Sequence, residues 1–189
     1  FSVKRILEIE KKTKHDVIAL VNNVAESVGP FGKYVHYGMT SSDVLDTALS
    51  LQIRDAEKVL LKSISKLKAS LNQKIKKHKF TFCAGRTHGM HAEPTTFGLK
   101  LAGFLAELKR NEIRIRSAVA NMLVCKLSGA VGTYSNQPIE VEEMVSNYLG
   151  LKPEFIATQV IPRDRNAEVI LSLSLLGAGL ERLATELRH

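Results

Sequence analysis

Tryptophan is absent from this 189-residue chain, prolines number five and aromatic residues make up only 6%. With so few prolines and no useful period-two alternation, a turn-rich sandwich or barrel is excluded. The two cysteines, Cys83 and Cys125, are too few for a disulfide framework. They also lack metal-ligand spacing, which suits a reducing compartment, so the expected location is the cytoplasm. No stretch approaches the roughly 18 apolar residues that would span a bilayer, and no membrane partner is expected. There is no P-loop, dinucleotide fingerprint or G-x-S-x-G elbow. Internal repeats and low-complexity tracts are missing too.

What the chain does have is helix formers. Leu, Ala, Lys, Glu and Ile dominate, and 44% of residues are hydrophobic, enough to build a core. The net charge is +8, which reads either as solvated helix faces or as attraction to an anionic partner. The lysines are spread out, favouring the first reading. The densest run, Lys74, Lys76, Lys77, His78 and Lys79, falls at a helix end, where cations complement the macrodipole and stay solvated. No aromatic residue interleaves it before Phe80, so nucleic acid is not an expected partner.

The fold class expected is all-α, a bundle of long helices. Phe1–Ser27 reads as one helix stopped by Gly29-Pro30, with Lys14, His15 and Asp16 in its middle. Residues 39–84 contain neither Gly nor Pro. There Leu45, Leu49, Ile53, Ala56, Leu60, Ile64, Leu67, Leu71 and Ile75 form a seam that predicts a helix of about ten turns. Thr95–Leu127 reads as the next helix, with Pro94 suited to its first turn and Gly98 and Gly103 as points of close approach. A glycine-containing loop (Ser128–Pro138), a short helix to Gly150 and a connector with Thr158-Gln159 follow. The last helix is Arg163–His189, with Gly177 and Gly179 as further close-packing points.

Two stretches carry more chemistry than packing requires. Thr40-Ser41-Ser42-Asp43 stands at the start of the long helix. One hydroxyl there serves as N-cap; the remaining hydroxyls and backbone N–H groups form an anion site reinforced by the helix dipole. The other stretch is Gly85–Pro94, GRTHGMHAEP, a polar interruption between two helices, expected to be a loop without strand. His88 lies in it beside Arg86, with few packing residues, and reads as functional. His15 and His36 divide evenly between packing and function. His88, His91 and Glu93 lack the HExxH arrangement, and Gly89 and Pro94 argue against one helix face, so no metal is expected. Acid–base work on an anionic substrate remains: imidazole changes charge near neutrality and can protonate a leaving group.

Five stretches now carry a resemblance: KHDV (Lys14–Val17), HYGMTSSDVLDTA (His36–Ala48), GRTHGMHAEPTTFGLK (Gly85–Lys100), SGAVGTY (Ser128–Tyr134) and TQVIPRDR (Thr158–Arg165). In this order and spacing the chain resembles the adenylosuccinate lyase family of the fumarase/aspartase superfamily, and the likeness covers nearly its whole length. Met90-His91-Ala92-Glu93-Pro94 distinguishes this branch from fumarases and argininosuccinate lyases.

The resemblance implies β-elimination of fumarate from adenylosuccinate and from the succinyl-aminoimidazole carboxamide ribotide, with no metal or organic cofactor. It implies His88 as the acid for the departing nitrogen and His15 as a second active-site histidine. Lys14 and Asp16 would contact substrate, Thr40 and Ser41 would bind a substrate carboxylate, and Gln159 would also contact substrate. His36, His91 and Arg86 would lie in or beside the site. The family's SSxMPxKxNP loop, which carries the base, is expected downstream of His189, so the chain reads as a fragment. Residues 1–40 would close an N-terminal domain and 41–189 would belong to a central bundle, in a homotetramer whose subunits share each site. The rivals are a non-catalytic helical assembly module and another lyase of the superfamily such as argininosuccinate lyase.

Overall fold

A computed structural model describes residues 1–189. It is all-α in class, with six helices and four short strands. The chain divides into two compact units: Phe1–Gln52 with Leu123–Pro162, and Ile53–Met122 with Arg163–His189. Helix α3 (Ser41–Lys77, 37 residues) runs through both, about 55 Å at 1.5 Å per residue.

The first unit opens on two helices where the sequence predicts one. α1 (Val3–Thr13) ends at Lys14, which takes a left-handed φ of 55° and returns its N–H to Glu10 O at 2.7 Å. His15 is extended and caps α2 (Asp16–Val28). Neither Gly nor Pro marks this break; the Lys14 turn and the His15 imidazole end one helix and start the next. Arg5 clamps the pair through Glu26, Nη2 to Oε1 at 2.7 Å, and Ile9, Val17 and Ala19 are buried. A 3-10 turn (Gly29–Tyr34) leads to the start of α3. Cys125, Leu127 and Leu151 form a small core with Met39, Leu51, Leu123, Val145 and Leu149 around it. Here β3 (Val124–Cys125) runs parallel to β4 (Lys152–Pro153), flanking α5 (Ile139–Leu149).

The second unit is a helix bundle. α4 (Phe97–Met122) buries Leu101, Phe104, Leu105, Leu108, Ile115, Ala118, Val119 and Met122, the three- and four-residue spacing of one apolar stripe. α6 (Asp164–Arg188) packs on it with Val169, Leu176 and Leu183, and α3 adds Ile64 and Leu71. Polar pairs edge this core: Lys68 with Glu112, Lys100 Nζ to Glu186 Oε1 at 2.5 Å, and Arg182 with Glu107. Arg182 also stacks over the Phe104 ring at 4.2 Å.

Several expectations are corrected. α4 starts at Phe97, its Thr96 hydroxyl accepting from Leu99 N at 3.2 Å, and stops at Met122, because the chain enters β3 at Val124. Pro94 lies in a strand, not a helix. The seam on α3 holds at Ile53 and from Leu60 to Ile75, but Ala56 is exposed and Leu45 is 49% exposed; the first turns bury Asp43, Asp46, Thr47 and Ser50 instead. His78, expected to be solvated, is half-buried and edge-on to Phe97 at 5.3 Å. Gly98 and Gly179 are close-approach points, whereas Gly103 and Gly177 face open space.

Candidate active site

The polar interruption is a β-hairpin. β1 (Phe82–Thr87) pairs antiparallel with β2 (Met90–Thr96), with an irregularity between Ala84 and Arg86. A Cβ on Gly85 would lie 2.5 Å from Glu93 O, so only glycine fits this bulge. The turn residues His88 and Gly89 have φ of 52° and 73°. Positive φ at both positions is the type I′ turn that matches strand twist. His88 therefore stands exposed at the hairpin tip in a conformation that a non-glycine residue adopts at a cost. Arg86 and His91 face each other across the ladder. The apolar periodicity is too weak to signal these strands. The His-Gly pair between Thr87 and Met90 is the signal that was available.

In the first unit the KHD triplet lies at the helix junction. His15 Nδ1 accepts from Ile18 N at 3.4 Å, capping α2, and Nε2 meets Ser41 Oγ at 3.4 Å. A ring nitrogen that accepts a backbone N–H carries no proton, so while it caps, the proton sits on Nε2 and points at Ser41. Asp16 Oδ1 accepts from Val17 N at 2.7 Å and lies 3.3 Å from His15 Nδ1, available to the ring when it is protonated. Lys14 is exposed beside them. Two predicted pieces, the KHD triplet and the Thr40-Ser41 start, thus meet in space.

Thr40 and Ser41 are held differently from expectation. The capping bond comes from Asp43, whose Oδ2 accepts Thr40 N at 2.9 Å, so the hydroxyls of Thr40 and Ser42 make no capping bond. His36 takes φ 67°, and its Nε2 is buried without a hydrogen-bond partner. Gln159 is exposed on its connector and bonds to none of these residues. No three His, Cys, Asp or Glu side chains gather as a metal site.

Sequence reasoning missed the polar group under this helix start. Lys126 and Asp43 are buried and joined to each other. Thr47 Oγ1 accepts Lys126 N at 3.1 Å. Glu142, also buried, accepts Leu127 N at 2.7 Å and the Tyr134 hydroxyl at 2.6 Å. Burial, and then the Glu142 carboxylate, push the Tyr134 phenol well above its ordinary range. Burial likewise raises the Cys125 thiol and keeps it protonated. The available signal was a lone lysine inside the apolar run Leu123-Val124-Cys125-Lys126-Leu127.

Comparison with known proteins places the chain in a class. A family model described as Lyase matches residues 1–189, and the chain belongs to that family. Among its relatives, the adenylosuccinate lyase of Bacillus subtilis (strain 168) is 50% identical over 188 residues, 100% of this chain and 44% of that protein. That of Thermotoga maritima is 49% identical over 187 residues, 99% of this chain and 43% of that protein. The crystal structure of a fumarate lyase from Mesorhizobium sp. BNC1 superposes with a TM-score of 0.91 at 30% identity, covering 100% of this chain and 45% of that one. The 3-carboxy-cis,cis-muconate lactonizing enzyme from Pseudomonas putida gives 0.87 at 30% identity, covering 98% and 44%. The chain spans less than half the length of each of these proteins.

Proposed function

We propose that the full-length protein is an adenylosuccinate lyase. It would release fumarate from adenylosuccinate, giving AMP, and from the succinyl-aminoimidazole carboxamide ribotide. The observation that best supports this reading is the meeting of His15 with Ser41: two distant motifs of the resemblance come together at a helix N-terminus suited to a carboxylate. A base on the loop outside these residues removes a proton from the carbon beside a succinyl carboxylate. The electron pair spreads into that carboxylate, then returns to form the fumarate double bond as the C–N bond breaks. His88 delivers a proton to the departing nitrogen. Thr40 and Ser41 would hold a substrate carboxylate through N–H and O–H donors at the helix start. Lys14, Asp16 and Gln159 would contact the rest of the substrate, with His36, His91 and Arg86 beside them.

In this reading residues 1–40 close an N-terminal domain and 41–189 belong to a central bundle, and the enzyme is a cytoplasmic homotetramer with shared sites. No helix is long and apolar enough to cross a membrane. The deciding test is fumarate release by the full-length protein from adenylosuccinate set beside argininosuccinate. Release from adenylosuccinate alone supports the assignment; release from argininosuccinate alone would transfer the chain to that branch.

A further inference from the structure

A buried ion pair lies under the Thr40–Ser41 seat, and the elimination does not use it. Lys126 is 0% and Asp43 1% exposed. Lys126 Nζ bonds Asp43 Oδ1 and donates to Gly129 O at 2.8 Å. Asp43 Oδ2 accepts Thr40 N at 2.9 Å and Gly129 N at 3.2 Å. One carboxylate thus ties the residue before α3 to the Ser128–Pro138 loop. The same loop is pinned at its far end, where Gln137 Nε2 bonds Tyr37 O.

Asp43 has two opposing effects. Its hydrogen bonds fix Thr40, but its negative charge sits within the first turn of a helix start that is to receive a substrate carboxylate. Like charges within one helical turn repel, and an uncompensated carboxylate there would weaken the seat. The Lys126 ammonium removes the conflict by cancelling the charge in place while leaving the Oδ2 bonds intact. Burying a lysine is costly unless it is paired, and here the pairing serves a seat that needs a carboxylate's geometry without its charge.

We propose that Asp43 and Lys126 are positioning residues for the anion seat: the carboxylate anchors Thr40, and the buried ammonium neutralises it so that a substrate carboxylate meets helix donors rather than an anion. This rests on the lyase reading above.

The test uses the full-length protein with kcat, KM for adenylosuccinate and inhibition by fumarate. Lys126→Gln keeps a donor for Gly129 O without the charge. It is expected to raise KM and weaken fumarate inhibition by about tenfold, with kcat within about threefold. Asp43→Asn/Lys126→Met, which removes both charges, should return KM to within about threefold of wild type. A role confined to folding predicts the opposite pattern: lower melting temperatures, unchanged KM in folded Lys126→Gln, and no recovery in the double variant. That pattern would overturn the proposal. A wild-type protein that releases no fumarate would defeat the lyase reading itself, and this inference with it.

Discussion

At the residue scale, His15 has a structural task and a candidate chemical one, and the two can be separated. Its Nδ1 caps α2 while Nε2 faces Ser41. Asparagine is among the best N-caps, so His15→Asn should keep the melting temperature near wild type, whereas His15→Ala should lose about 0.5–2 kcal/mol of stability. Both should lose most turnover if the imidazole acts on substrate. Thermal melts with parallel kcat measurements check this; equal stability loss in both variants would show that the cap is unimportant. The KHDV stretch marked this residue as a candidate through the resemblance. Its place at a junction was not, because the break depends on a lysine taking φ 55°, and residue type does not announce that.

At the element scale, two glycines make opposite predictions. A Cβ on Gly132 would fall 2.0 Å from Ala157 O, and Gly132 has φ +80°. Gly132→Ala should therefore cost at least about 1–3 kcal/mol, measured by denaturant unfolding. Gly103→Ala, which meets open space inside α4, should instead be neutral or stabilising by up to about 1 kcal/mol. The α3–α4 pair also carries a pH signature. Glu112 is held below its ordinary value of 4.5 by hydrogen bonds from Lys68 and then Arg116. Because the folded value is depressed, this stabilisation is fully present above pH 4.5 and lost as pH falls through the folded value. Melts from pH 7 to pH 3 should show a shallower acid loss in Glu112→Gln than in wild type; parallel curves would remove Glu112 as a contributor.

The elements were legible in proportion to their apolar periodicity. Leu101 to Met122 on α4 and Val169 to Leu183 on α6 carry a clear stripe, and both helices were expected within a few residues. The 82–96 hairpin was not, because its pairing rests on backbone bonds and a two-residue turn. The first turns of α3 misled for a related reason: Leu45 looked like core, but the burial belongs to Asp43, Asp46, Thr47 and Ser50, and the first three are matched to partners more than 75 positions away.

At the scale of the whole molecule, Leu99, Ile113, Ile170, Leu171 and Leu175 leave apolar side chains exposed on α4 and α6. Ile113, Leu171 and Leu175 line one surface hollow, and contiguous exposed apolar area marks association surfaces. Sedimentation of the full-length protein should give a tetramer, and a monomer at micromolar concentration would contradict the shared-site reading. The 189 residues alone should release no fumarate, since the base is expected outside them.

The most direct measurement is kcat of full-length His88→Ala with adenylosuccinate, beside His88→Asn, whose side chain tolerates the positive φ of the hairpin tip. If His88 is the acid, both folded variants should fall about 10²–10⁴-fold in kcat. Wild-type kcat in either would contradict that assignment.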